Sequence, residues 1–229
     1  MQQIDHRVIK LLVGIIAIAM PFVLDLSAGW TLRSISLSYH LNTRDLFVGL
    51  LFAVAALFLS FSGEDDRERI LTVIASLLAA TVALAPCECD LGKKPFSDLH
   101  FPAAGGLFGI LGYFCWRFRD TAREKVVKFD YPEARNRVLV YSLCFAVMVS
   151  CGILGALYAC LHLAFPTHGR TLDATFPDLV FWLEAPSLVA FGVSWLAASR
   201  TLPWFANEEE LFSLRKGMAP EDQRVRQAE

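Results

Sequence analysis

The chain has 229 residues, of which 55% are hydrophobic and only 19% are charged, and its mean hydropathy is +0.46. This composition is too apolar for an ordinary soluble domain of the same length. The formal net charge of −2 also lacks the basic excess of a nucleic-acid-binding protein, so nucleic acid is not expected as a partner. We therefore expect a protein of the lipid bilayer.

Six segments are apolar over a length that reaches or approaches the roughly 20 residues a helix needs to cross a bilayer. They are continuously apolar rather than alternating, which favours helices over a β-barrel. In chain order, the predicted spans are Val8–Ala28, Leu46–Gly63, Ile70–Cys87, Phe101–Trp116, Val138–Leu161 and Leu179–Ser199. The first also resembles a signal peptide, but its apolar run is long for one and we expect a retained helix. The sequence thus predicts an all-α fold, an integral membrane bundle of six transmembrane helices.

The distribution of basic residues predicts the orientation of these spans. Sixteen Lys and Arg fall in the termini and the loops on one side, and five fall in the loops on the other side. Because cytoplasmic loops carry the excess of Lys and Arg, we expect both termini in the cytoplasm.

We divide the chain into a transmembrane domain, residues 1–203, and a cytoplasmic tail, residues 204–229. Within the tail, the segment Asn207–Lys216 begins with three acids, Glu208–Glu210, and ends with Arg215 and Lys216. That polarity complements a helix dipole and predicts a short helix on the cytoplasmic surface.

Small residues indicate how the fourth and fifth spans meet. Gly105 and Gly109 form a GxxxG pair, and Gly152 and Ala156 repeat the spacing in the fifth span. Such pairs let helices approach closely. We expect packing within one bundle, and a homo-oligomer through Gly105 and Gly109 is the alternative.

The loop before the second span collects polar residues on the predicted outer side, among them Tyr39, His40, Arg44 and Asp45. One interpretation is structural: a polar residue caps the second span, Asp45 suits its first turn and Arg44 reaches lipid head groups. The functional interpretation is that Arg44 binds an anionic group such as a lipid phosphate, while the other three complete a polar pocket.

Glu184 is the acid inside the sixth span. A carboxylate there costs about 2.5–3.5 kcal/mol at the bilayer centre, so it requires a partner or water. We expect Glu184 to pair with Arg44 or His100, or to stay protonated.

A resemblance supports the same architecture. The residues that carry it are Ser36, Ser38, Tyr39, Arg44, Asp45, Phe47, Val48 and Gly49, with His100 and Glu184 further along. In these residues the chain resembles an uncharacterised group of bacterial multi-pass membrane proteins, which is distantly similar to the Frag1/DRAM-type six-helix membrane family. The resemblance implies a fold and no activity. Taking the spans and the resemblance to bacterial proteins together, we expect a multi-pass protein of the bacterial inner membrane. The chain departs from the pattern at Cys87–Asp90, where a plain polar turn is expected.

Cysteine and histidine near the predicted outer surface raise the question of a metal. Cys87, Cys89 and His100 are the candidate ligands, because thiolate and imidazole suit zinc or copper. A disulfide to another chain and two free thiols remain equally open for the Cys-x-Cys pair.

One enzyme template is present in part. The spacing Ser36-x-x-x-His40 resembles that in the alkaline ceramidase and adiponectin-receptor superfamily of membrane zinc hydrolases. Their carboxy-terminal HxxxH is missing, since the nearest pair is His162 and His168.

We accordingly predict a polar site at the outer leaflet that binds a lipid head group or a partner protein. Its residues are Arg44, Asp45, His100 and Glu184, with Tyr39 and His40 beside them. The alternative is a membrane-embedded hydrolase or lipid-remodelling enzyme that uses the same groups, with zinc as its cofactor.

Overall fold

A computed structural model describes residues 6–61, 63, 65–87, 96–129, 132–202 and 204–206, with the backbone alone at 128, 129 and 132. Within these ranges the chain is helical and contains no strand. The seven α-helices are α1 His6–Ser27, α2 Arg44–Ser60, α3 Asp66–Leu84, α4 His100–Phe129, α5 Pro132–Ala164, α6 Pro166–Thr175 and α7 Leu179–Ala198. Two 3₁₀ helices, Ile35–His40 and Ser97–Leu99, lie in the loops. The all-α prediction is confirmed.

Each predicted span corresponds to a helix, but the helices differ in how well they suit a bilayer. Four of them, α1, α4, α5 and α7, are long and apolar enough to cross a membrane. Of the other two, α2 has 17 residues, and α3 begins with the charged run Asp66–Arg69. The four apolar helices fit a membrane-embedded protein.

Six helices form a closed ring in which each contacts its two neighbours, in the order α1, α2, α3, α4, α5, α7 and back to α1. Helices α4 and α7 also touch across the ring. The centre is filled by Trp195 of α7, which is fully buried. Five aromatic rings lie 5.3–5.8 Å from it, namely Phe58, Phe61, Phe114, Phe118 and Phe191.

The outer surface of the ring is apolar along the helices. Leu77, Leu143 and Ile153 lie well within α3 and α5 and are more than half exposed. A soluble monomer rarely exposes contiguous apolar surface of this kind, whereas lipid tails would cover it.

Helices α4 and α5 extend beyond their predicted ends. They have 30 and 33 residues, or about 45 and 50 Å, against a hydrocarbon core of about 30 Å. The segment from Arg117 to Arg137, expected as a loop, is therefore mostly helical. Its Arg, Glu, Lys and Ala residues favour a helix, and charge does not end a helix outside the bilayer. The loop expected over Pro166–Asp178 likewise contains α6.

The glycines that bring helices together are not the predicted ones. A Cβ on Gly14 of α1 would lie 2.9 Å from the carbonyl oxygen of Gly192, and a Cβ on Gly192 would lie 2.7 Å from that of Gly14. At Gly105, Gly109 and Gly152 no atom of the described residues lies within 4 Å of such a Cβ. Helices α4 and α5 do pack together, for example where the rings of Phe118 and Tyr141 lie 5.9 Å apart, so the prediction of close packing at Gly105, Gly109 and Gly152 within one chain is wrong.

The ring has two ends, which we call the Tyr39 end and the Lys10 end. The Tyr39 end holds the 3₁₀ helix Ile35–His40, the end of α3 and the start of α7. The Lys10 end holds the start of α1 and the turn between α2 and α3. In that turn Asp65 caps α3 by accepting the Glu68 N–H at 2.8 Å, which holds the pKa of Asp65 below its ordinary value. Arg117 of α4 lies 3.4 Å from both Asp65 and Glu68.

Candidate functional site

The predicted site lies at the Tyr39 end, around the 3₁₀ helix Ile35–His40. Ser34 begins this helix, and its hydroxyl oxygen accepts the Leu37 N–H at 3.1 Å. Ile35 and the preceding Leu32 are 4% and 3% exposed and belong to the core at this end. The loop after α1 is therefore anchored in the bundle, not laid over its surface.

Glu184 of α7 binds the start of this 3₁₀ helix. Its carboxylate accepts the backbone N–H of Ile35 at 2.6 Å and the hydroxyl of Ser36 at 3.3 Å. Within the described chain no hydrogen bond or ion pair joins Glu184 to Arg44 or His100, so the predicted pairing is wrong. The helix start supplies N–H groups that lack partners within the helix, and these solvate the carboxylate instead.

The two histidines bind the chain that leaves α3. His40 Nε2 lies 2.9 Å from the carbonyl oxygen of Cys87, and His100 Nδ1 lies 2.7 Å from that of Ala85. Because a carbonyl oxygen only accepts, each of these ring nitrogens carries a proton. His100 is 1% exposed, and its Nε2 has no hydrogen-bond partner among the described residues. A ligand outside the bundle would not reach it.

Arg44 and Tyr39 form the part of the predicted site that is open. Arg44 Nη2 donates to the Tyr39 hydroxyl oxygen at 3.1 Å, and the guanidinium carbon lies 4.6 Å from the ring centroid. Arg44 and Asp45 are both exposed in the first turn of α2. Neither has an ion-pair partner in the described part of the chain. The structure thus joins Tyr39 to Arg44, leaves Asp45 exposed at the next position of α2, and assigns His40, His100 and Glu184 to internal bonds.

The residues that the structure describes do not form the predicted metal site. Cys87 is 2% exposed and disulfide-bonded, and a disulfide sulfur is not the thiolate that zinc binds. Its sulfur lies 3.6 Å from the Ser36 carbonyl oxygen, a contact without a proton to share. Cys89 lies outside the described residues. Among those described, no group of three or more His, Cys, Asp or Glu side chains is placed to hold a metal ion.

The hydrolase template is not assembled either. The Ser36 hydroxyl donates to Glu184, and the His40 ring bonds Cys87, so these two residues do not form a nucleophile and base pair. His162 bonds Asp173 of α6 at 3.2 Å, an acid that also accepts the Tyr158 hydroxyl at 2.9 Å. His168 is exposed at the start of α6.

Comparison of the chain with family models, with curated proteins and with solved structures gives no match.

Proposed function

We propose that the chain is a protein of the bacterial inner membrane with six spans, both termini cytoplasmic and the Tyr39 end outside. The path of α2 supports this. It begins near Tyr39, and the residue after its last turn, Phe61, lies 5.2 Å from the His6 ring and 5.4 Å from Lys10 Nζ at the start of α1. A 17-residue helix is about 26 Å long, close to the thickness of the hydrocarbon core. The count of basic residues supports the orientation, and the resemblance described above supports the compartment.

In this arrangement the Tyr39 end binds the head group of an outer-leaflet phospholipid. The observation that carries the proposal is the guanidinium of Arg44, which is exposed, held against Tyr39 and not neutralised by a carboxylate among the described residues. A guanidinium fits a phosphate with two parallel hydrogen bonds. Tyr39 limits the conformations of the side chain, which lowers the entropy cost of binding.

Asp45 makes the site selective among phospholipid head groups. It is exposed one residue after Arg44, so the first turn of α2 presents both a cation and an anion at its surface. A zwitterionic head group, with a phosphate diester and a primary ammonium, complements both charges. An anionic head group without an amine would complement only Arg44.

A lipid hydrolase has no specific observation in its favour. The groups expected to act in catalysis all have other hydrogen-bond partners. Ser36 donates to Glu184, which also accepts a backbone N–H, and His40 and His100 each bond a backbone carbonyl oxygen. We therefore propose binding rather than turnover.

Native mass spectrometry tests this proposal. The purified full chain is equilibrated in neutral detergent with phosphatidylethanolamine or with phosphatidylglycerol, and the retained lipid is counted. Arg44→Ala removes one cation near the membrane surface, which contributes about 1 kcal/mol, so we expect both lipids to bind about fivefold more weakly. Asp45→Asn should weaken the binding of phosphatidylethanolamine but should not weaken that of phosphatidylglycerol, since it removes only a negative charge.

Arg33→Ala is the matched control. Arg33 is exposed at the same end, and its backbone carbonyl, which the substitution keeps, accepts the Phe181 N–H at 2.9 Å. If Arg33→Ala weakens lipid binding as much as Arg44→Ala does, the effect is one of general charge and the proposed site is wrong.

A further inference from the structure

The Lys10 end contains a cavity that the proposed function does not use. It lies between α1, α4, α5 and the residues that follow α7, and its volume is about 40 Å³. This is room for about three water-sized groups. Its lining is Lys10, Phe118, Thr121, Ala122, Lys125, Arg137, Tyr141, Ala198 and Arg200. Four of these nine are cations, and none of the lining residues that the structure describes is an acid.

Two of the cations are held deep in the bundle. Lys10 is 7% exposed, and its ammonium lies 5.4 Å and 5.1 Å from the ring centroids of Phe61 and Phe118. Arg137 is 3% exposed, and its Nη1 donates to the carbonyl oxygen of Phe205 at 2.6 Å. Each of the four cations also has an interaction partner within the chain. What distinguishes the cavity is that cations from four separate segments line one small space.

Arg200 reaches the cavity at a conformational cost. It follows the C-cap residue Ser199 of α7, and its φ is +56°, in the left-handed region. Helices commonly place glycine at this position, because glycine has no Cβ to clash. An arginine in a strained conformation is a reason to look for a role of its side chain.

We propose that this cavity binds a phosphate group, that of an anionic phospholipid in the adjacent leaflet or a soluble phosphate. Arginine guanidinium groups match phosphate oxygens with paired hydrogen bonds, and lysine adds point charges. A volume of about 40 Å³ matches in scale the oxygens of one phosphate group. The binding does not depend on the orientation proposed above, which decides only that the leaflet concerned is the cytoplasmic one.

The test measures phosphate binding to the purified full chain in neutral detergent. Phosphatidic acid is titrated in mixed micelles and adducts are counted by native mass spectrometry, with inorganic phosphate as a competitor. We expect Lys125→Ala to weaken binding about fivefold, as one cation at a membrane surface does. Competition by inorganic phosphate would assign a soluble ligand, and its absence a lipid.

Arg123→Ala is the matched control, because Arg123 is an exposed cation of α4 two residues away and does not line the cavity. An equal loss in Arg123→Ala and Lys125→Ala would overturn the proposal.

Arg200→Gly separates binding from stability. Glycine relieves the strain at φ +56°, so we expect an equal or higher thermal midpoint together with about fivefold weaker phosphate binding. A lower midpoint with unchanged binding would show that Arg200 has a structural role and would overturn the proposal.

A last variant tests whether acids of the chain itself occupy the cavity. Glu208, Glu209 and Glu210 follow closely after Phe205 in the sequence. If the unmodified chain binds no phosphate while Glu208→Gln/Glu209→Gln/Glu210→Gln does, carboxylates of the chain occupy the cavity and the proposal is wrong.

Discussion

Polar side chains at the Tyr39 end bond mainly to the backbone of the loops. Asp25 accepts the Leu32 N–H at 3.1 Å, as Glu184 accepts that of Ile35, while His40 and His100 bond carbonyl oxygens. Backbone groups near the hydrocarbon core have little water to bond, so side chains must satisfy them. This need accounts for ionisable residues that would otherwise suggest a ligand site.

Glu184 provides a direct test of this structural role. Glu184→Ala removes both acceptor oxygens and leaves the buried Ile35 N–H without its partner, so we expect a loss of about 1–3 kcal/mol in stability. Glu184→Gln keeps one amide oxygen and should lose less. Thermal unfolding of the purified protein measures both. A Glu184→Ala protein with the midpoint of the unmodified chain would contradict the cap, and Arg44→Ala, which leaves these bonds intact, serves as the control.

Helix packing depends on where glycine lies as much as on its spacing. Helices α1 and α7 meet backbone to backbone at Gly14 and Gly192, which no GxxxG motif marks. The motif at Gly105 and Gly109 instead lies on an exposed face of α4. A spacing rule identifies a face that permits close approach, but the partner of that face depends on the whole arrangement of helices.

Alanine substitutions separate the two kinds of glycine. In Gly192→Ala the new Cβ would lie 2.7 Å from a backbone oxygen, so α1 and α7 must move apart, at a cost of about 1–3 kcal/mol. In Gly109→Ala the new methyl meets open space, and alanine favours the helix by about 1 kcal/mol, so we expect stability to rise or stay equal. Thermal midpoints of the two variants check these opposite signs. Equal destabilisation would contradict the packing described.

The predicted homo-oligomer through Gly105 and Gly109 stays a prediction, and the same face tests it. Gly109→Leu would place a bulky side chain there without a clash inside the chain. If that face is an interface between copies, the substitution should shift the purified protein to monomer in light scattering.

For the molecule as a whole, hydropathy located every helix of the ring, because continuous apolar runs leave little alternative to a helix in lipid. The extension of α4 and α5 beyond the predicted spans was missed. Charged helix-forming residues such as those around Arg123 occur both in loops and in helices that leave the bilayer, so their composition does not distinguish the two. The direct contact between Arg44 and Tyr39 was not foreseen, but both residues were predicted to belong to the polar site. The acceptor role of Glu184 was not, because its main donor is the backbone N–H of Ile35, which no side-chain pattern reveals. The cavity at Lys10 is lined by residues from four segments that are distant in the sequence, so it could not be predicted either.

The number of spans is the property of the whole molecule that most needs a test, because α2 and α3 decide it. If they cross, their connecting turn lies in the cytoplasm with both termini; if they do not, it lies outside with Tyr39. Asp66→Cys at this turn and Thr31→Cys in the loop after α1 place reporters at exposed positions. We expect a membrane-impermeant maleimide added to intact spheroplasts to label Thr31→Cys above the unsubstituted chain, and Asp66→Cys only after lysis. Labelling of both before lysis would mean that the chain has four spans and that the hairpin of α2 and α3 lies outside the bilayer. Lipid would then not cover the exposed Leu59 and Leu77 of this hairpin, so the six-span proposal would be wrong.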